Sequence, residues 1–234
     1  EVIEGSAASV SSNTNSLSFD GVDDYVRMEH IDEYNNLDAF TWSIWVKLDE
    51  DALLSDDNMF LINKDHHPDY SQTSYYIELR PNDTERVINF QVDIDGGTGG
   101  GGSLASYSLG PLEDFDWHLV SATFESGVAI KLYIDGNLVA ESSAQSGTIH
   151  NQQKILLGSH VFEESSFFKG EIANFLFLNT AISNDQIISL FNEGLFTYSN
   201  LSSSSIGNWR YNTDQNDIFY DYSENENHGT IYGA

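Results

Sequence analysis

Short runs rich in Val, Ile, Tyr, Phe and Trp recur along the whole chain, each bounded by Gly, Asn, Asp or Ser. In the run FTWSIWVKL (Phe40 to Leu48), alternation places Phe40, Trp42 and Ile44 on one side of an extended backbone. Successive side chains of a β-strand point to opposite faces, so a period of two is typical of strands that bury one face. The pattern predicts an all-β protein.

Two local signals refine this prediction. Between the runs AIKLYIDG and NLVAESS, Asp135-Gly136 offers the positive φ angles that a tight hairpin turn requires. The segment SNDQIISLFNEG (Ser183 to Gly194) instead begins with a Ser or Asn cap, repeats apolar residues at helical spacing and ends at a glycine. We therefore expect one short helix packed on a β body.

The size of the chain favours a single domain. With 234 residues, of which 40% are hydrophobic, it can bury one sizeable core. No run approaches the roughly 18 apolar residues of a membrane span, and the opening EVIEGSAASVSS lacks the basic and apolar regions of an export signal. We expect a soluble, mature chain without membrane insertion. The absence of cysteine excludes disulfides and thiolate catalysis.

The charge balance is strongly acidic, with 9 Lys and Arg against 37 Asp and Glu and a formal net charge of −28. Such a chain repels phosphate backbones and anionic lipid, so nucleic acid is not an expected partner. The surplus of carboxylates has two ordinary explanations: a solubilising surface, or a supply of oxygen ligands for Ca²⁺. The second is considered only where the acids cluster at loop spacing.

Several segments together resemble a known family. They are SLSFDGVDDYV, FTWSIWVKL, the hairpin from WHLVSATF to YIDGNLVA, LLGS and GEIANFLFLNTAISNDQIISLFNEG, in order from Ser16 to Leu195. The set resembles the laminin-G-like, pentraxin-related branch of the concanavalin A-like jelly rolls. The resemblance implies an all-β, two-sheet antiparallel jelly-roll sandwich, with ligand and Ca²⁺ sites in loops at the sheet edge or on the concave face.

The last part of the chain departs from this family. A segment like DYSENENHGTIYGA normally precedes the FDG strand, whereas here it lies at the C-terminus. We divide the chain into a jelly-roll body (1–196), a Ser-rich linker (197–207) and a C-terminal strand segment (208–234). That segment either completes its own jelly roll or pairs with a neighbouring copy. The first alternative gives a monomeric binding module and the second a fibre.

A Ca²⁺ site is one hypothesis for the acidic loops. Oxygen-bearing residues occur at every second position from 221 to 227, as in loops that wrap Ca²⁺, and the resemblance places the FDGVDD turn beside them. The seven proposed ligands of this single structural site are Asp20, Asp23, Asp24, Asp221, Ser223, Asn225 and Asn227. The alternative is that these residues only form turns and caps, which is what they do most often.

The resemblance also implies a ligand-facing Ca²⁺ site built from two loops, here KDHHPDYSQ and SHVFEESSF. Their oxygen donors are Asp65, Asp69, Glu163 and Glu164, and the nearby stacking or hydrogen-bonding groups are Tyr70, His160 and Phe162. Sugars suit such a site, because hydroxyls can chelate the ion while aromatic faces meet the C–H side of the ring. A glycan is the expected ligand.

Catalysis finds little support in the sequence. Glucanases of this superfold place a nucleophile and an acid on one strand, whereas QVDIDGG offers only Asp93 and Asp95 and YIELRPN only Glu78. We therefore favour a secreted, extracellular, non-catalytic carbohydrate-binding or adhesion module stabilised by Ca²⁺. One alternative is a self-assembling fibre subunit that donates its C-terminal strand to the next copy. A polysaccharide-degrading enzyme is the third alternative.

Overall fold

The computed structural model describes residues 15–54, 57–65, 72–81, 86–94, 102–160, 166–194, 204–211 and 217–233. Fifteen strands are β1 (Leu17–Asp20), β2 (Tyr25–Met28), β3 (Ala39–Leu48), β4 (Met59–Lys64), β5 (Ser74–Pro81), β6 (Arg86–Asp93), β7 (Ser103–Ser108), β8 (His118–Glu125), β9 (Ala129–Ile134), β10 (Asn137–Ser142), β11 (Ile155–Leu157), β12 (Lys169–Leu178), β13 (Ser205–Tyr211), β14 (Ile218–Asp221) and β15 (Gly229–Tyr232). One α-helix, α1, spans Asn184–Glu193. Short 3₁₀ turns span Asp32–Tyr34, Glu50–Leu54 and Gly110–Leu112.

All strand pairs of the described chain are antiparallel and join in the order β10-β9-β8-β3-β12-β13-β14-β15-β2-β11-β4-β5-β6-β7, with β1 paired to β12. The ladder of strands folds back on itself. The ring of Phe40 in β3 accordingly lies 5.2 Å from the ring of Tyr75 in β5. We call β10-β9-β8-β3-β12 the first layer and β2-β11-β4-β5-β6-β7 the second layer. The all-β, antiparallel prediction is confirmed, although the two layers are joined into one continuous ladder.

The local predictions hold in detail. Asp135 and Gly136 have φ angles of 51° and 79°, the left-handed pair that the β9–β10 hairpin requires. The helix α1 starts with a capping box: Ser183 Oγ accepts a hydrogen bond from the Gln186 backbone, and Gln186 Oε1 accepts one from the Ser183 backbone. Its apolar side packs on the outer side of the first layer through Ile187 and Leu190.

The C-terminal segment connects the two layers. On one side β13 pairs with β12, and on the other β15 pairs with β2, where Ile231 lies opposite Val26. Trp209 of β13 is fully buried and stacks on Phe175 at 5.0 Å. In this structure the segment therefore completes its own sandwich. The linker proposed for 197–207 ends earlier than expected, since residues 205–207 already belong to β13; its first part, 197–203, lies outside the described residues.

Within the described parts of the chain, no helix has the length and apolar character needed to cross a membrane.

Candidate functional site

The turn between β1 and β2 gathers three carboxylates. One oxygen from each of Asp20, Asp23 and Asp24 lies within 4.8 Å of the others. Asp24 is buried and accepts a 2.6 Å hydrogen bond from the Asp20 backbone, whereas the other two are exposed. Burial, together with the charges of Asp20 and Asp23, raises the pKa of Asp24 despite that hydrogen bond. The turn therefore presents oxygen donors that could hold a divalent cation.

The other four proposed Ca²⁺ ligands lie in the hairpin between β14 and β15. The Asp221 carboxylate accepts hydrogen bonds from the backbone of Asn208 and Ser223, from Ser223 Oγ and from the Asn227 backbone, at 2.9 to 3.0 Å. Asn225 donates to the Ile206 carbonyl, and Asn227 donates to the Glu29 carbonyl. Asp221 therefore organises the loop through these four donors.

These two groups lie at opposite ends of the β2–β15 pair. Tyr232 lies opposite Tyr25, so the next residue, Gly233, packs against the Asp24 carboxylate, and a Cβ there would collide with it. Asn227 instead precedes Gly229, which packs against Met28 at the far end of the pair. The four residues of β15 lie between the groups, a length of about 13 Å. The single seven-ligand site expected from the sequence is therefore not the arrangement of the structure.

Two of the seven proposed ligand-binding residues are described, and the structure brings them together. Asp65 follows β4 and His160 follows β11, with Asp65 Oδ2 3.8 Å from His160 Nε2. The His160 ring lies 5.1 Å from Phe60. Asp65 is 7% exposed, and its Oδ1 atom has no hydrogen-bond partner among the described residues. The remaining five, Asp69, Tyr70, Phe162, Glu163 and Glu164, lie outside the described residues.

Asp65 lies at the edge of a group of polar and aromatic side chains that the sequence did not indicate. Tyr75, Ile77 and Leu79 of β5 point into the core, so the alternate residues Tyr76 and Glu78 point outward. Directly paired residues of antiparallel strands share a face. The side of β4 to β6 turned away from the core therefore includes Phe60, Asn63, Tyr76, Glu78, Asn89 and Gln91, which we call the candidate face. Tyr76 and Gln91 are half-buried, and the other four are buried.

The candidate face is bonded into a network. Glu78 accepts hydrogen bonds from Asn89 at 3.2 Å and Asn58 at 3.5 Å, and Arg80 lies 3.6 Å from it. Burial raises the pKa of Glu78, while Asn89 and Arg80 oppose the rise. Phe60 meets the Tyr76 ring edge to face at 5.5 Å. The alternation in SYYIELRP was the signal that could have identified this face.

The chemistry of the candidate face suits binding more than bond cleavage. Its amides and carboxylates can exchange hydrogen bonds with hydroxyl groups, and its rings can contact C–H surfaces. A glycosidase needs two carboxylates about 5–10 Å apart. The described partners of Glu78 are two amides and a guanidinium, which position its carboxylate. Two further acids, Asp65 and Asp93, lie near Tyr76 on the same side.

A separate cavity of about 360 Å³ opens elsewhere, on the β1–β12–β3 side of the first layer. Its lining includes Lys47 and Glu171, which lie 3.5 Å apart, and Glu171 also accepts a hydrogen bond from Ser16. Lys169 lies 3.8 Å from Asp49 at its rim. These charged groups are already paired with one another, so we place the candidate site on the second layer.

Solved structures share this fold. A candidate carbohydrate-binding protein from Bacteroides ovatus aligns with a TM-score of 0.66 at 14% identity, over 93% of this chain and 58% of that one. The botulinum neurotoxin serotype D ligand-binding domain, solved with N-acetylneuraminic acid, gives 0.58 at 16% identity, over 76% and 42%. Mouse laminin α1 domains LG4-5 give 0.52 at 11%, over 79% and 48%. At these identities the likeness shows the fold alone.

The chain spans less than two thirds of the length of each of these three proteins. Among curated protein sequences, none matches it. A laminin G-type family model, described as concanavalin A-like lectin/glucanases superfamily, matches residues 20–188, which is more than half of the chain. The resemblance inferred from the sequence is thereby confirmed, and the chain belongs to the concanavalin A-like lectin/glucanases superfamily.

Proposed function

We propose that the chain is a non-catalytic carbohydrate-binding module that binds glycans at the candidate face, beside Asp65 and His160. Structural relatives described as carbohydrate-binding or solved with a sialic acid support this class of ligand. We further propose that the module acts outside the cell, as part of an adhesion or surface protein. The fibre alternative receives less support, since the C-terminal strands pair within their own chain.

The observation that carries the proposal is the unpaired carboxylate oxygen of Asp65. A buried charge is costly unless it is paired or coordinates a metal, and Oδ1 has neither among the described residues. Next to it, Asn63 Oδ1 accepts a 3.3 Å hydrogen bond from the Asp65 backbone, while Asn63 Nδ2 has no partner in the described chain. An acceptor, Asp65 Oδ1, and a donor, Asn63 Nδ2, thus lack partners at the same end of β4.

Ca²⁺ fits this donor set, since it takes carboxylate and amide oxygens. Asp65 would hold the ion together with the flanking-loop acids Asp69, Glu163 and Glu164. When bound, Ca²⁺ would offer free coordination positions to sugar hydroxyls. His160 lies 3.8 Å from Asp65, and its ring lies 5.1 Å from that of Phe60; these two rings would contact the C–H face of the sugar.

The test is a glycan array probed with and without Ca²⁺, using the wild-type chain, Asp65→Asn and the control Glu141→Gln. Glu141 lies on β10 of the first layer, 3.5 Å from Lys131, so it offers the same carboxylate-to-amide change far from the candidate face. We expect the wild type and the control to bind the same glycans and D65N to lose at least about tenfold in affinity. A blank array, or equal binding by D65N, would reject the proposal.

A further inference from the structure

A second aromatic surface lies on the same side of the molecule, on the strands that close the sandwich. Tyr25 of β2 and Tyr232 of β15 are directly paired, and their rings stack at 4.5 Å with an angle of 12°. The Arg27 guanidinium lies 5.5 Å from the centre of the Tyr232 ring. Val26 and Ile231, which alternate with these residues, point into the core. The tyrosine pair therefore faces outward.

The neighbouring strands carry further outward aromatic side chains toward the other end of the β2–β15 pair. Tyr220 of β14 is directly paired with Arg210 of β13, and its ring lies 4.9 Å from His228. Arg210 also lies 5.5 Å from the ring centre of Tyr222, which is 57% exposed. Trp209 and Phe219, adjacent to Arg210 and Tyr220, are buried in the core. We call the outward set Tyr25, Arg27, Arg210, Tyr220, Tyr222 and Tyr232 the tyrosine platform.

The tyrosine platform and the candidate face lie on one side of one ladder. A single row of paired residues runs from Thr230 through Arg27 and Leu156 to Asn63 and Tyr76. Neighbouring strands are about 4.8 Å apart, so β15 and β4 are separated by about 14 Å. Leu156, midway along the row, and Asn63 are fully buried, so the half-buried and exposed rings of the platform form a separate patch. A ligand that touches both must be an extended chain.

The charged groups around the tyrosine platform favour an uncharged ligand over an anionic one. Arg27 forms an ion pair with Glu29 at 2.8 Å, and Arg210 donates a hydrogen bond to Asn208 at 3.4 Å. Both guanidinium groups therefore already have partners within the chain, which does not favour an anionic ligand. The net charge of −28 repels a polyanion. Tyrosine rings offer apolar faces together with hydroxyl groups, which match the alternating C–H and O–H surfaces of sugars.

We infer that the tyrosine platform is a second binding surface for an uncharged, linear glycan that extends from the candidate face across β2 and β15. This inference rests on the proposed function, because it assigns a longer ligand to the same side of the module. Tyr222 is the residue most available to the ligand. Removing its ring from an exposed loop leaves the buried members of β13 and β14 in place.

The experiment compares dimers and hexamers of β-1,4-linked glucose, xylose and mannose by titration calorimetry, and mixed-linkage β-glucan, xylan and polygalacturonate by affinity electrophoresis. The variants are Tyr222→Ala, Tyr222→Trp and the control Tyr107→Ala, an exposed tyrosine of β7. We expect Y222A to weaken binding of the preferred hexamer by about three- to tenfold and to leave dimer binding unchanged. Y222W and Y107A should bind as the wild type does.

Equal hexamer affinity for Y222A and wild type would overturn the inference while leaving the proposed function intact. Tighter binding of polygalacturonate than of the neutral polymers would overturn the assigned ligand class. Failure of the wild-type chain to bind any probe, short or long, would instead count against the proposed function itself. The melting temperature of Y222A, measured in parallel, should stay within about 2 °C of the wild type, since exposed substitutions change stability little.

Discussion

Ile231 of the last strand lies directly opposite Val26 of the second strand, and both side chains are in the core. A residue three positions from the C-terminus is thus part of the pairing that links the second layer to the closing strands. Between them, β13 and β15 satisfy the edges of β12 and β2 that would otherwise remain open. The position of this pair explains why a strand segment at the end of the chain completes a sandwich that begins near residue 17.

We predict that Trp209→Ala destabilises the chain by about 3–5 kcal/mol, because it leaves a large cavity beside Phe175. Thr230→Ala, an exposed change on β15, another of the closing strands, should cost less than about 0.5 kcal/mol. Urea unfolding followed by tryptophan fluorescence measures both. Similar stabilities for the two variants would show that the closing strands are not part of the cooperative fold.

We also predict that the purified chain is a monomer, because the closing strands already pair within the chain. Light scattering across a range of concentrations should give a constant mass near 26.1 kDa. A mass that grows with concentration, and that falls back when the segment from residue 204 onward is deleted, would support strand exchange between copies.

Much of this fold follows from local sequence signals. Alternation in FTWSIWVKL identifies the buried face of β3, Asp135-Gly136 identifies a hairpin and Ser183 identifies a helix start, since each depends on residues close together in the chain. The seven proposed Ca²⁺ ligands lie at two ends of the β2–β15 pair, which the sequence did not indicate for a different reason. Which end of β15 meets Asp24 depends on strand direction and register, and neither can be read from the spacing of acids.

The candidate face was harder to predict for a related reason. Glu78 looked like an isolated carboxylate in the sequence, because its partner Asn89 lies on the next strand and is paired only through the β5–β6 register. Asp65 and His160, 95 positions apart, were named from the family resemblance, and their 3.8 Å approach depends on how β4 and β11 pair.

His118 gives a prediction of pH dependence. Burial lowers the pKa of this histidine, but hydrogen bonds of 2.7 Å to Asp135 and to Asp114, with their charges, raise it to about 9. Because this exceeds the ordinary value of 6.5, the pairing stabilises the fold fully below about pH 6.5 and is lost as pH rises through 9. His118→Gln should therefore cost about 2 kcal/mol at pH 6 and much less at pH 10. An equal cost at both pH values would contradict the charged pairing.

Lys64 should give stability the opposite dependence on pH. Its ammonium is buried among the carbonyls of Asn151 and Gln153 with the ring of Tyr34 at 5.4 Å, and burial lowers its pKa to about 7. The unfolded chain holds this proton more tightly, so the contribution of Lys64 to stability improves as pH rises from about 7 to 10.5. We expect Lys64→Met to be more stable than wild type at pH 7 by an amount on the order of a few kcal/mol. A stability difference that does not shrink by pH 10 would argue against the buried amine.

Removal of Ca²⁺ should affect stability differently through the two acidic loops, the Asp20–Asp24 turn and the β14–β15 loop. If the turn of Asp20, Asp23 and Asp24 binds Ca²⁺ in addition to the site proposed at Asp65, the ion should raise the melting temperature of Asp23→Asn less than that of the wild type and of Asp221→Asn. Asp221→Asn should lower the melting temperature with or without Ca²⁺, because its carboxylate holds the β14–β15 loop through four hydrogen bonds. Calorimetric scans with Ca²⁺ and with a chelator measure both effects. An unchanged response to Ca²⁺ in D23N would exclude the turn as the site.

We propose that glycans bind on the outer side of the second layer. Hydrogen-exchange mass spectrometry, with and without the tightest glycan from the array, tests it most directly because it locates the bound surface along the chain. We predict slower exchange at the end of β4 and in β5, around Asp65 and Tyr76, and no change in the helix α1 or around Lys47. Protection confined to the helix or to the Lys47 cavity, with β4 and β5 unchanged, would contradict the account.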